Sequence, residues 1–98
     1  MTPDEELMAA VQDGDEHAFT TLVTRYERPL YGYLRRLVRS STEAEDLFQE
    51  AFLRVYAHRR RYKRGHPFRP WLYRIATNLA RDRQPYWDVQ AHNQFSVL

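Results

Sequence analysis

Ninety-eight residues suit one domain, near the low end for burying a self-sufficient core, and 43% hydrophobic with 29% charged residues describes a folded globular chain. No apolar run of about eighteen residues and no signal-peptide pattern occurs, so neither membrane insertion nor a secretory route is expected. The lack of cysteine excludes disulfides and thiolate metal sites and fits a reducing, cytoplasmic home. Net charge is +2, but through Glu50 five Arg face eleven acids, and from Ala51 onward ten Lys or Arg face two Asp. Such a dipolar chain calls for two kinds of partner, one basic and one polyanionic.

Thr2-Pro3-Asp4-Glu5 reads as a capping box with proline at the first helical position, opening a helix that ends near Asp13-Gly14. Leu7, Met8 and Val11 form its apolar face. Asp15 or a neighbour caps a longer second helix, expected to reach about Val38. Its stripe, Phe19, Leu22, Val23, Tyr26, Leu30, Tyr33, Leu34 and Leu37, recurs at spacings of three and four. Pro29 lies inside it and should kink it. Arg35, Arg36 and Arg39 gather at its end, where cations complement the helix dipole.

Thr42 and Glu45 form a second capping box, starting a third helix that extends to about Arg60. Leu47, Phe48, Ala51, Phe52 and Val55 share its core face. The opposite face carries Asp46, Gln49 and Glu50 around Leu53, a poor solvent face and a good docking face. Arg61 through Pro67 reads as a basic loop. A fourth helix starts near Arg69 or Pro70 and stops before Pro85, with Trp71, Leu72, Ile75, Ala76 and Leu79 inward. No alternating strand pattern exists, so the fold class is all-α, a compact bundle of about four helices spanning residues 1–83. Residues 84–98 hold Tyr86, Trp87, Phe95, Val97 and Leu98 without a settled period and stay unassigned, as a linker or tail.

Catalysis finds little support. His17, His58, His66 and His92 lack paired ligand spacing and the three glycines build no phosphate loop, so no catalytic residue, metal, cofactor or small-molecule substrate is expected. Nucleic acid fits better. Tyr73, Arg74, Thr77 and Arg81 are expected together on the outer face of the fourth helix, beside Arg61, Lys63, Arg64 and His66 in the loop and Arg69 at the helix start. Any one of these arginines alone is an ordinary exposed residue. Together they form a basic surface interleaved with aromatics, suited to phosphates and unpaired bases. Asn78 and Asp82, one turn apart, read as structural hydrogen-bonders.

Two blocks carry a family resemblance. One is Ala44-Glu45-Asp46-Leu47-Phe48-Gln49-Glu50-Ala51-Phe52-Leu53-Arg54-Val55-Tyr56; the other runs from Pro67 through Trp71-Leu72-Tyr73-Arg74-Ile75-Ala76 to Asp82. In order and separation they resemble region 2 of bacterial sigma factors, most closely the extracytoplasmic-function (ECF) group. The resemblance implies that the third helix docks on the clamp helices of the RNA polymerase core through Asp46, Gln49, Glu50 and Leu53. It also implies that the loop and fourth helix engage the promoter minus-ten element. Lys63, Arg64, Gly65 and His66 would surround a base flipped from the non-template strand, with Arg69, Arg74 and Arg81 on phosphates or base edges. Primary sigma factors carry paired tryptophans where this chain has Arg74 and Ile75, which implies weaker intrinsic melting and stricter promoter choice. An anti-sigma factor is a further implied partner. ECF factors also have a domain for the minus-thirty-five element, for which the sequence after residue 83 is too short; an excised domain or an atypical member is expected. Two other readings stand beside this one: a helix-turn-helix regulator reading duplex DNA unaided, and a protein-interaction bundle without DNA binding.

Overall fold

Side chains three and four apart share a helix face, and the four apolar stripes of this chain close on one another. A computed structural model describes residues 1–83 and contains α1 (Asp4–Gln12), α2 (Glu16–Leu37), α3 (Ser41–Ala57) and α4 (Phe68–Arg83), with a 3-10 turn at Arg59–Arg61. The tail assigned to residues 84–98 lies outside the described residues. No strand occurs among those described.

α2 is the spine. α1 and α3 pack along it, and α4 packs chiefly on α3 while also touching α2 and α1. Met8 and Val11 of α1, Leu22, Leu30 and Leu34 of α2, Leu47 and Val55 of α3, and Phe68 and Leu72 of α4 are fully buried. Each large apolar side chain so buried contributes roughly 1.5–3 kcal/mol from area alone. α2 passes through Pro29 as one continuous helix. The proline is exposed, so water can take the carbonyl its missing N–H leaves free.

Several local expectations give way to tertiary contacts. α1 is entered from Pro3, not capped by Thr2, because its acids are used elsewhere. Asp4 accepts from Arg25 Nη1 at 2.7 Å and from the Tyr26 hydroxyl, and Glu5 Oε2 accepts the Phe68 N–H at 2.8 Å. That last bond caps the start of α4 with a carboxylate from 63 residues away, where an unpaired N–H and the helix dipole both favour an anion. α3 is capped by Ser40, whose Oγ accepts the Glu43 N–H at 3.1 Å, and not by Thr42. Asp15 caps α2 as expected, through Ala18 N. Gly14, at φ +97°, makes the left-handed turn between α1 and α2.

Leu37, read as core, is 38% exposed, because the helix ends there and the extended Val38 turns inward in its place. α3 stops at Ala57, short of Arg60, and tightens into the 3-10 turn. The segment read as an open basic loop is anchored at Tyr62. That side chain is only 3% exposed, with its ring 4.9 Å from Trp71 and 6.2 Å from Phe68.

Candidate nucleic-acid and protein interfaces

α3 presents two faces because it packs on α2 with one and leaves the other open. On the open face Leu53 is 68% exposed. Asp46 and Gln49 are exposed beside it and Glu50 is half-buried. Arg83, at the end of α4, reaches both acids, 3.8 Å from Asp46 and 3.1 Å from Glu50. An exposed ion pair of this kind contributes at most about 1 kcal/mol and exchanges readily for another cation. The face thus combines an apolar centre with acids already shown to accept a guanidinium. Around the helix from it, Gln49 and Phe48 with Val23 and Tyr31 of α2 line a groove of about 530 Å³.

The basic side is built by the 3-10 turn, the following loop and α4. Gly65, at φ +91°, turns the loop back, and the Tyr62 hydroxyl donates to the carbonyl of His66 to close it. Arg61, Lys63, His66 and Arg74 then share a cavity of about 340 Å³ with the aromatic rings of Tyr62 and Trp71. All four of these polar side chains belong to exposed residues. Arg74 and Arg81 make no ion pair with any described residue, so no carboxylate within residues 1–83 competes for their charge.

The remaining predicted residues are placed differently. Tyr73 and Thr77 are half-buried against α2, not on the outer face: the Tyr73 ring stands 5.0 Å from Tyr33, and the Tyr33 and Thr77 hydroxyls bond at 2.6 Å. α4 is flanked by α2 and α3, which covers both margins of its stripe and leaves a narrower outer face than periodicity suggests. Arg69 lays its guanidinium over Tyr73 at 5.1 Å and Tyr26 at 6.0 Å. Arg64 is turned away from the cavity, onto Asp13 at 2.6 Å and the Gln12 side-chain oxygen Oε1 at 2.8 Å. Burial raises the phenol pKa of Tyr62 and of Tyr73; the nearby Glu5 and Asp4 add to it for Tyr62, while Arg69 partly offsets it for Tyr73. Both remain neutral phenols, and that of Tyr62 donates to the His66 carbonyl.

Asn78 and Asp82, read as structural, are exposed and have no hydrogen bond to a described residue. Both instead join Arg54, His58 and the apolar Ile75 and Leu79 around a second cavity of about 250 Å³, which shares Trp71 and Arg61 with the first. Arg54 and His58 come from the end of α3, so no window of sequence contains this grouping. Among the described residues no cluster of three or more His, Cys, Asp or Glu is poised for a metal.

Comparison with known proteins agrees with this fold. The family model for Sigma-70 region 2 matches residues 22–84. The ECF RNA polymerase sigma-E factor of Haemophilus influenzae is 39% identical over 97 residues, covering 92% of this chain and 51% of that protein. The chain spans about half the length of the curated relatives it matches. An engineered region 2 of sigmaE, solved by NMR in complex with GTAAAA, superposes with a TM-score of 0.78 at 35% identity, over 94% of this chain and 93% of that one. CnrH, solved in complex with the cytosolic domain of CnrY, superposes at 0.76 with 32% identity, over 81% of this chain and 51% of its own. The helical bundle is thus the fold these relatives share, and the chain belongs to the Sigma-70 region 2 family, in its ECF group.

Proposed function

We propose that this domain joins the bacterial RNA polymerase core through α3 and holds the opened non-template strand of a minus-ten element on its basic side. One observation carries the reading: Arg61, Lys63, His66 and Arg74 converge on a cavity lined by Tyr62 and Trp71, while Arg74 and Arg81 are paired with no described carboxylate. Free cations bind phosphates by releasing counterions, and aromatic rings stack on unstacked bases. The sigmaE relative was solved in complex with GTAAAA on the same fold, which supports strand binding by this domain.

Binding energy spent on the separated strand shifts the duplex toward opening, as any ligand shifts a two-state equilibrium, so the domain itself performs no reaction. Leu53 supplies the apolar centre of the polymerase contact, and Asp46 and Glu50 exchange Arg83 for basic groups of the core. Asn78 joins the strand site, its carboxamide offering both a donor and an acceptor to a base edge. An anti-sigma partner covering these faces accords with CnrH, which binds the cytosolic domain of another protein. Residues 1–83 form the working unit, and it operates in the cytoplasm. No described helix is long and apolar enough to cross a membrane.

Pull-down with polymerase core, then binding of single-stranded and duplex minus-ten DNA with and without core, tests the reading. Asp46→Lys with Glu50→Lys should abolish core retention and spare strand binding. Lys63→Ala, Arg74→Ala and Arg81→Ala together should do the reverse. Tight duplex binding without core would point instead to a stand-alone regulator, and indifference to both variant sets would overturn the proposal.

A further inference from the structure

The segment that brings Arg61, Lys63 and His66 to the cavity has little backbone bonding of its own. Between the end of α3 and Phe68, Arg61 N bonds to the His58 carbonyl at 2.9 Å, Tyr62 N to that of Arg59 at 3.4 Å and His66 N to that of Lys63 at 3.1 Å. Its position is set by the Tyr62 ring, packed on Trp71 and Phe68, and from outside by one further side chain. Gln12, the last residue of α1, donates from Nε2 to the Arg59 carbonyl at 2.8 Å and to the Tyr62 carbonyl at 2.6 Å. Its Oε1 accepts from Arg64 Nε at 2.8 Å. The carboxamide uses both of its N–H donors and its oxygen on this one segment, across 47 to 52 residues of sequence.

Few side chains could do this. Two carbonyls demand two donors from one nitrogen, and the adjacent guanidinium demands an acceptor on the same group. Glutamine provides both on a planar fork, whereas glutamate offers only acceptors and lysine only donors. The two bonds to carbonyls are partly buried, where an unmade one is costly, so losing them should release the turn and not merely rearrange it. The contact of Arg64 with Asp13 is by contrast a solvent-exposed pair and contributes little.

The geometry points to Gln12 as a positioning residue for strand reading: from α1, without touching DNA, it fixes the backbone from Arg59 to Tyr62 and thereby the placement of Lys63 and His66 at the cavity. This rests on the strand-binding reading above and deepens it, because a fixed loop discriminates between bases where a loose one only attracts phosphates.

The test uses the full chain and its Gln12→Glu variant, which keeps length, shape and the Arg64 contact while removing both donors. Fluorescence anisotropy would measure GTAAAA and each of its single-base variants as single strands at low salt. Amide hydrogen exchange would follow Arg61, Tyr62 and His66 in the same samples. The expected result is about tenfold weaker binding of the preferred strand and a smaller loss on the others, as two partly buried hydrogen bonds disappear. The three loop amides should exchange faster while those of α3 stay unchanged. Should Gln12→Glu fail to fold, Gln12→Met, which keeps the helix and lacks any polar group, serves with the same expectation. An unchanged ranking with unchanged loop exchange would overturn the inference, as would a uniform loss on every strand that tracks a lowered Tm. So would Asp13→Asn behaving like Gln12→Glu, since the Arg64 tether would then be the cause. A wild-type chain that binds none of the strands would overturn the strand-binding reading itself, and the inference with it.

Discussion

Tyr26 shows how much one polar atom in the core can depend on a distant partner. Its ring is buried against Phe68, with centroids 5.8 Å apart, and its hydroxyl donates to Asp4, which also holds Arg25 at 2.7 Å. Burial first, then the bond to Asp4 and its charge, drive the phenol pKa well above its ordinary value. A group that titrates higher in the fold than in the unfolded chain contributes fully below the unfolded pKa, about 10 for tyrosine, and its contribution is lost as pH rises toward the folded value. Tyr26→Phe should therefore lower stability by about 1–2 kcal/mol at neutral pH, through loss of a bond to a charged acceptor. The gap from wild type should close above about pH 10, where the wild-type phenol begins to oppose folding. Thermal unfolding of both proteins between neutral and alkaline pH checks this; a gap constant across the range would contradict it. At the same scale, the exposure of Leu53, Arg74 and Arg81 was legible from helical spacing. Gln12 and Glu5 were not, because each bonds to residues dozens of positions away.

Among the elements, helix identity was easy to read and helix ends were not. The stripes at Leu22, Leu30 and Leu34 or at Leu47, Ala51 and Val55 leave no option but a helix, since only that period puts them on one side. The boundary before α3 offers Ser40, Ser41 and Thr42 in succession, each chemically able to cap. The chosen one is the residue whose extended backbone, φ −123° and ψ 153°, aims its hydroxyl at the Glu43 N–H. Ser40→Ala should then cost about 1 kcal/mol, while Thr42→Ala should cost little, because it caps nothing. Urea unfolding of both variants distinguishes them, and equal losses would contradict the assignment. Tyr62 misled for a similar reason. In sequence it sits in a run of Arg, Lys and Gly, and only the approach of Trp71 and Phe68 turns that position inward.

At the scale of the whole molecule, the charge asymmetry resolves into an acid-bearing face on α3 and a basic side built by the loop and α4, joined where Arg83 meets Asp46 and Glu50. If the basic side holds a strand through Arg61, Lys63, Arg74 and Arg81, single-strand affinity should fall with salt at a log–log slope of about −3, for four phosphate contacts. Removing Lys63 should shallow that slope by about 0.7. Anisotropy titrations over a salt series measure both, and a flat response would remove phosphate contact from the account. The amino-acid sequence alone determined the all-α class, the number of helices, the exposed Leu53 face of α3 and the two blocks that mark the family. All of these rest on patterns repeated within a single helix. Tertiary structure alone decided which cations stay free and which are absorbed, Arg64 by Asp13 and Gln12, Arg69 by aromatic rings, Arg83 by Asp46 and Glu50. It also decided that α1 and α3 complete the basic side. A charge is available or spent according to what lies within a few ångströms of it, and that is fixed only when separate helices meet.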